Sequence, residues 1–327
     1  MVKRRVWALV AWGLGALFLL VWLFVGAGTQ WFGLASLWEE ASSPWNYHYT
    51  STWDPAVSRV RGLSIAWGHG PVEVRSSPSS QVVVTEYAGE TLQGEAKLRL
   101  SSSRGVLRIQ WDRSPLGLSS FLPQEKRLVV EVPVEVATQL REFTCESLSG
   151  SITVDRITAQ ETCVRSGTGD LFLSGLQGET IQVSTNSGAL RWQGGAAQDL
   201  EVELGSGSGE LVNVEAEACR LSTVSASVTY TGSGRQMEVC TVSGPVRAEL
   251  SACPEEGTFQ AVSGSLEVAL PDNPGFEARC QSLSGTFVSE FPGKSAQGVL
   301  YGAGGPLLQF STTSGDVHIQ RRSGSAL

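Results

Sequence analysis

The chain has 327 residues, 41% of them hydrophobic and 37 of them glycine, with 24 basic side chains against 32 acidic ones. Three of the basic residues are Lys3, Arg4 and Arg5, so the body that follows carries 21 basic against 32 acidic residues, a balance that argues against nucleic acid and suits cationic partners. The three histidines, His48, His69 and His318, lie far apart and leave little material for a histidine-based zinc site or catalytic triad.

Behind the basic residues 1–5, Val6 to Val25 runs for twenty residues without a charged side chain; as a helix it would span about 30 Å, the thickness of a bilayer core. The pattern predicts a transmembrane anchor over 6–26 with the basic tail in the cytoplasm and the rest outside. A cleaved signal peptide is the alternative, because Val25-Gly26-Ala27 offers a small-residue cleavage site and cleavage would make the protein secreted. The length of the apolar run favours the anchor, since a signal core needs only about 7–15 residues. Trp31, Phe32, Leu34, Leu37 and Trp38 form an expected interfacial collar. With Pro44 and Pro55 beyond it, 27–57 is read as collar and linker.

From Leu63 onward short alternating runs predict strands at Leu63–Ile65, Val72–Val74, Val82–Val84, Leu98–Leu100, Val106–Ile109 and Leu128–Val136. Gly70 and Gly105 precede strand pairs and suggest a degenerate N-terminal cap; Ser114 to Gln124 is a loop. Then one octet, A-V-S-G-S-L-E-V at Ala261–Val268, recurs nine times with pivots at Gly150, Gly169, Gly188, Gly209, Ala226, Gly244, Gly264, Gly285 and Gly315. The intervals are 19, 19, 21, 17, 18, 20, 21 and 30, and a period near twenty means a solenoid.

Two residues after each pivot stand Ile152, Leu171, Leu190, Leu211, Val228, Val246, Leu266, Phe287 and Val317, and five before it another column without a polar member. Inward parity therefore flips at the pivot, as at a corner joining two short strands that face one core. The glycines Gly150, Gly169, Gly188, Gly209, Gly244, Gly264, Gly285 and Gly315 are structural corner residues on this reading. Position −1 is Ser or Thr throughout, and −3 is so in every copy except that of Ala261. A nucleophilic role has no nearby histidine to support it; hydrogen bonds to the next rung or to the corner's own backbone account for all copies. The expected fold is all-β: a parallel β-solenoid over 58–321 with rungs of about 20 residues, preceded by the transmembrane helix and followed by a tail, 322–327.

Polysaccharide-cleaving enzymes can be built on such scaffolds from paired acids. Asp170, Glu210 and Asp316 follow their pivots directly, but on non-adjacent copies, and Glu203, Arg220 and Glu238 alternate in sign as a solvated ladder would. Six cysteines allow fifteen pairings; free thiols are the expectation, with Cys145–Cys163 the one bridge worth testing, reachable if a bulge shifts the register.

The ordered set I-A-W-G-H-G-P-V-E-V (Ile65–Val74), L-V-V-E-V-P (Leu128–Pro133) and serial S-G turns ending in T-T-S-G-D-V-H-I (Thr312–Ile319) resembles the bacterial putative adhesin family of β-strand-repeat domains of unknown function. That resemblance covers about Ser58 to Gln320 and implies a parallel β-helix, often membrane-tethered and extracytoplasmic, with no catalytic residues and no cofactor to carry over. The resulting expectation is a non-enzymatic binding or envelope-sensing module whose partner is a cell-envelope component, a cationic peptide or another membrane protein; a carbohydrate-active enzyme is the alternative. The irregular insertion Phe291–Pro306, with Lys294 and Tyr301, is the expected contact loop, unless it merely caps the last rung.

Overall fold

The computed structural model describes residues 47–53, 60–89, 91–92, 97–111, 126–293 and 298–322. The expected anchor at 6–26 and the side chain of Lys294 lie outside these residues. Among the described residues no helix is long and apolar enough to cross a membrane.

The described chain is all-β apart from one helical turn, Val134–Ala137. Strands stack in parallel through the centre: Ile152–Asp155 pairs with Leu171–Ser174, Thr158–Ser166 with Gln177–Thr185, and Val246–Glu249 with Leu266–Ala269. Each rung is a long strand, a corner, a short strand and a second turn. The corner glycines stand so close that a side chain at one would strike the backbone of the rung before: a Cβ on Gly169 would lie 1.9 Å from the carbonyl oxygen of Gly150, and one on Gly264 2.3 Å from that of Gly244. Parallel rungs at about 4.8 Å leave no room there for anything larger.

The fourth corner is Gly207 rather than Gly209. Gly207 has φ +111° and its Cβ position is 2.3 Å from the Gly188 carbonyl oxygen, and Gly209 pairs with Val228 instead of Ala226. Gly209 thus occupies the inward +2 place, and the missing side chain there is replaced by Leu204, whose Cδ1 lies 2.5 Å from where a Cβ would be. With Gly207 the intervals around it become 19 and 19. A second left-handed turn then falls six residues after successive corners, at Arg156, Gly175, Gly194 and Asn213.

Buried aliphatic and aromatic side chains fill the space between the two strands of every rung, among them Val164, Val183, Val202, Leu221, Val239 and Phe259 five residues before successive corners. Each buries enough apolar surface to contribute about 1.5–3 kcal/mol. Trp192 and Tyr230 are the largest, and both are satisfied at their polar ends: Trp192 Nε1 donates to the Gly194 carbonyl at 3.1 Å and the Tyr230 hydroxyl lies 2.7 Å from the Ser233 carbonyl.

At both ends the stacking order departs from chain order. The Gly70 rung is held between Val106–Trp111 with Lys126–Pro133 on one side and the Gly150 rung on the other. Gly105, read as preceding a strand pair of the cap, turns the antiparallel hairpin between Arg99–Ser103 and Val106–Trp111. The stretch read as linker contains the strand Tyr47–Trp53, antiparallel to Val82–Ala88, which in turn runs antiparallel to Lys126–Glu131. At the other end the Gly315 rung lies between the Gly264 and Gly285 rungs. The insertion contributes a strand of its own, Gly298–Gly302, antiparallel to Gly275–Arg279. Among the described residues eleven rungs can be followed, nine of them with the hydroxyl-bearing corner.

Candidate binding surface

The corner hydroxyls divide into two sets with different work. Those directly before the corner donate to the preceding rung: Ser206 to Asn186, Ser225 to Gly205, Ser243 to Val224, Ser263 to Val242, Ser314 to Val262 and Ser284 to Thr313, all backbone carbonyls at 3.2–3.4 Å. Those three before the corner bond its own backbone: Ser166 Oγ accepts from Gly169 N at 2.8 Å, Thr312 Oγ1 from Gly315 N at 2.7 Å, and Thr241 Oγ1 donates to the Gly244 carbonyl at 2.7 Å. Occupied in this way, they hold the corners.

The carboxylates brace neighbouring rungs. Asp170 accepts from Ala189 N at 2.7 Å. Asp316 accepts from Thr286 N at 2.9 Å and Thr286 Oγ1 at 2.6 Å, and these bonds, the hydroxyl's first, hold its carboxyl below the usual range. With the corrected register Glu210 moves to the third place after its corner. The ion-pair ladder is Glu201–Arg220–Glu238, at 3.8 and 3.0 Å, so Glu201 takes the place expected of Glu203. Among the described residues no His, Cys, Asp and Glu group could hold a metal ion.

All six cysteines are free thiols. Cys145 stacks on Val164, while Cys163 stacks on Thr144 and Gln182; the register carries no shift, so the two thiols lie on opposite faces and the bridge does not form. Burial pushes the Cys145 thiol up, and the Cys219 thiol to about 12, which keeps both protonated and unreactive at neutral pH.

Tyr301, expected at the contact loop, is half-buried. Its ring meets Phe291 at 4.9 Å and Phe276 at 5.6 Å between centroids, and the Arg321 guanidinium sits 5.0 Å from Phe291 and 5.8 Å from Tyr301. Positive φ at Gly293, Gly298, Gly302, Gly304 and Gly305 bends this segment around the start of Gly275–Ser282. These side chains clasp the inserted last rung.

A different feature is concave and runs along the stack. Residues facing it recur at the rung period: Leu140, Ala159, Gly178, Ala197, Ala216 and Gly234 form the floor, at intervals of 19, 19, 19, 19 and 18. Two hollows of about 650 and 450 Å³ meet at Ala196 and Ala197. The rim beside the floor is Arg141, Gln160, Glu179, Gln198, Glu217 and Arg235, all exposed, so two amides stand among two acidic and two basic side chains. The signal was present in the sequence as small residues at a fixed phase, but only the return-turn geometry makes that phase a groove.

Residues 60–320 match the Toastrack DUF4097 family, and the chain belongs to that family. Its corners, columns and inserted end rungs are this chain's version of that all-β repeat domain. Among solved structures, a putative cell adhesion protein from Clostridium sporogenes is similar at 10% identity and TM-score 0.25, over 84% of this chain and 99% of that one. A putative adhesin from Bacteroides fragilis is similar at 11% identity and TM-score 0.41, over 85% of this chain and 98% of that one. No curated protein matches the chain.

Proposed function

We propose that the chain is a membrane-tethered, extracytoplasmic, adhesin-like module that binds an extended polymer of the cell envelope without transforming it. The groove across the rungs from Leu140 to Gly234 is the observation that carries this reading: it is long, open and lined at one residue per rung, so it presents one polar rim side chain about every 4.8 Å. Gln160 and Gln198 can both donate and accept, and the near-balance of Arg141, Arg235, Glu179 and Glu217 suits an uncharged, hydroxyl-rich chain such as a glycan strand better than a cationic peptide. The tether rests on Lys3, Arg4 and Arg5 ahead of the apolar run to Val25. The binding reading is favoured over hydrolysis because the corner hydroxyls and the Asp170 and Asp316 carboxylates are committed to backbone and neighbouring hydroxyls.

The test is co-sedimentation of residues 45–327, one compact unit, with purified cell-wall glycan, comparing wild type with a Gln160→Ala/Gln198→Ala/Ala197→Tyr variant. The expected result is retention of wild type, several-fold loss in the variant, and no release of reducing ends. Equal retention of both proteins, or turnover of the glycan, would overturn the proposal. Retention only on cationic peptides would point instead to the hollow lined by Asp199, Glu201, Glu238 and Glu256 around Arg220.

A further inference from the structure

We propose that the last rung, Leu307–Thr312 with Val317–Arg321, is exchangeable, and that the slot it fills accepts the same segment of a second copy of this chain. The slot is built wholly from other parts of the chain. Glu256–Ala261 and Leu266–Leu270 bound one side; Gly275–Ser282 and Phe287–Ser289 bound the other. Both sides pair in parallel with the inserted strands, so the backbone donors and acceptors of both walls are met by the segment, whichever molecule supplies it.

The side-chain contacts are equally indifferent to origin. Phe310 stacks on Phe259 with centroids 4.9 Å apart and planes 11° from parallel. Asp316 reaches Thr286, Glu290 accepts from Arg321 N at 2.8 Å, and Arg321 lies over Phe291. Each would form again, unchanged, with a partner's segment. The one element that differs between a closed monomer and an exchanged pair is the connection Gly302–Pro306.

That connection is tight. It leaves Gly298–Gly302 on one side of Gly275–Arg279 and enters Leu307–Thr312 on the other, turning with Gly302, Gly304 and Gly305 at φ +60°, +76° and +130°. A Cβ on Gly302 would lie 2.0 Å from the Pro274 carbonyl oxygen, so only glycine closes the turn. A short link between a segment and its slot is the arrangement that promotes exchange, because opening it into an extended bridge gives up only the turn's own bond from Gly304 N to the Tyr301 carbonyl, at 3.1 Å. The closed form keeps the advantage of a high effective concentration, and the glycines set how large that advantage is.

The experiment co-expresses two differently tagged full chains, both Cys240→Ser, one Gln260→Cys and the other Ser311→Cys. Gln260 and Ser311 are directly paired across the slot, so exchange places the two thiols of different chains side by side. The expected result is an inter-chain disulfide between the tags, several-fold more abundant when both copies also carry Gly302→Ala. Absence of the inter-chain bond in the glycine-bearing pair and in the Gly302→Ala pair would overturn the proposal, as would dimers that form without it. Should Gly302→Ala fail to fold, the glycine-bearing pair decides the matter alone.

Discussion

The two ends of the solenoid solve one problem with opposite chemistry. Each end sets an early or late rung between two others and covers part of the outermost rung's edge with antiparallel strands, Val82–Ala88 and Arg99–Ser103 at one end and Gly298–Gly302 at the other. At the N-terminal end the closure is buried and polar. Lys126 Nζ lies 2.6 Å from Glu86 Oε1 with both side chains fully buried, Glu86 also accepts from Leu98 N at 3.1 Å, and the ammonium sits 4.0 Å from the Trp111 ring centre. At the C-terminal end the closure is apolar: Leu308, Phe310, Val317 and Ile319 of the inserted rung are buried, Phe310 stacks on Phe259, and Phe291, Tyr301 and Arg321 gather beside it. A buried charge pair adds little net stability but is costly to break on one side, so the first end is fixed in one arrangement. Apolar contacts, by contrast, carry no buried charge to strand and re-form with any segment of the same shape.

The largest expected effect lies at the N-terminal end. Lys126→Met strands Glu86 without its buried partner and should cost about 3–5 kcal/mol, read as a lower urea midpoint; adding Glu86→Leu should recover most of it. If the single variant is as stable as wild type, the pair does not lock the cap. A smaller loss, about 1–3 kcal/mol, is expected for Tyr301→Ala, and it should appear chiefly as faster amide exchange over Leu307–Arg321 with the central rungs unaffected. Uniform acceleration through the whole stack would contradict a peripheral clasp.

Much of the architecture is legible in the sequence. Alternation with a phase change at a small residue identified the corners, and paired hydroxyl columns identified what steadies them. The register slipped at S-G-S-G-E because Gly205, Gly207 and Gly209 stand two apart and each satisfies a glycine-centred pattern. Leu204 and Gly209 exchange roles there, a large residue on one strand filling the space of a missing one on the other, and single-column reading cannot see that trade. The end rungs were hidden for a different reason: a repeat states which residues face the core but not which copy lies beside which. The groove was hidden likewise, since Ala159, Gly178 and Ala197 are unremarkable until the turn brings them into line. Tyr301 was legible as part of an irregular segment, but its role as a clasp depends on Phe276, its partner across the antiparallel pair, and on Arg321, brought to it by the inserted rung.

The smallest expected effect concerns the clamp between the last two rungs. The Asp316 carboxyl is held below its ordinary range by Thr286, so its contribution is present above the unfolded-state value and is lost as pH falls through the depressed folded-state one. Asp316→Asn should therefore lower the midpoint slightly at pH 7, and the difference from wild type should shrink towards acid. A difference that does not change with pH would place the clamp's value in packing rather than charge.

Disulfide trapping within one chain reads out the order of the last three rungs, Gly264, Gly315, Gly285. In a Cys240→Ser background, at dilution that excludes contact between chains, Gln260→Cys/Ser311→Cys should oxidise to a bridge, because the two positions are paired neighbours. Gln260→Cys/Gln281→Cys should stay reduced, because Ser311 separates them and two rungs exceed the reach of about 7 Å between Cα atoms. A bridge in the second pair and none in the first would mean that the rungs stack in chain order.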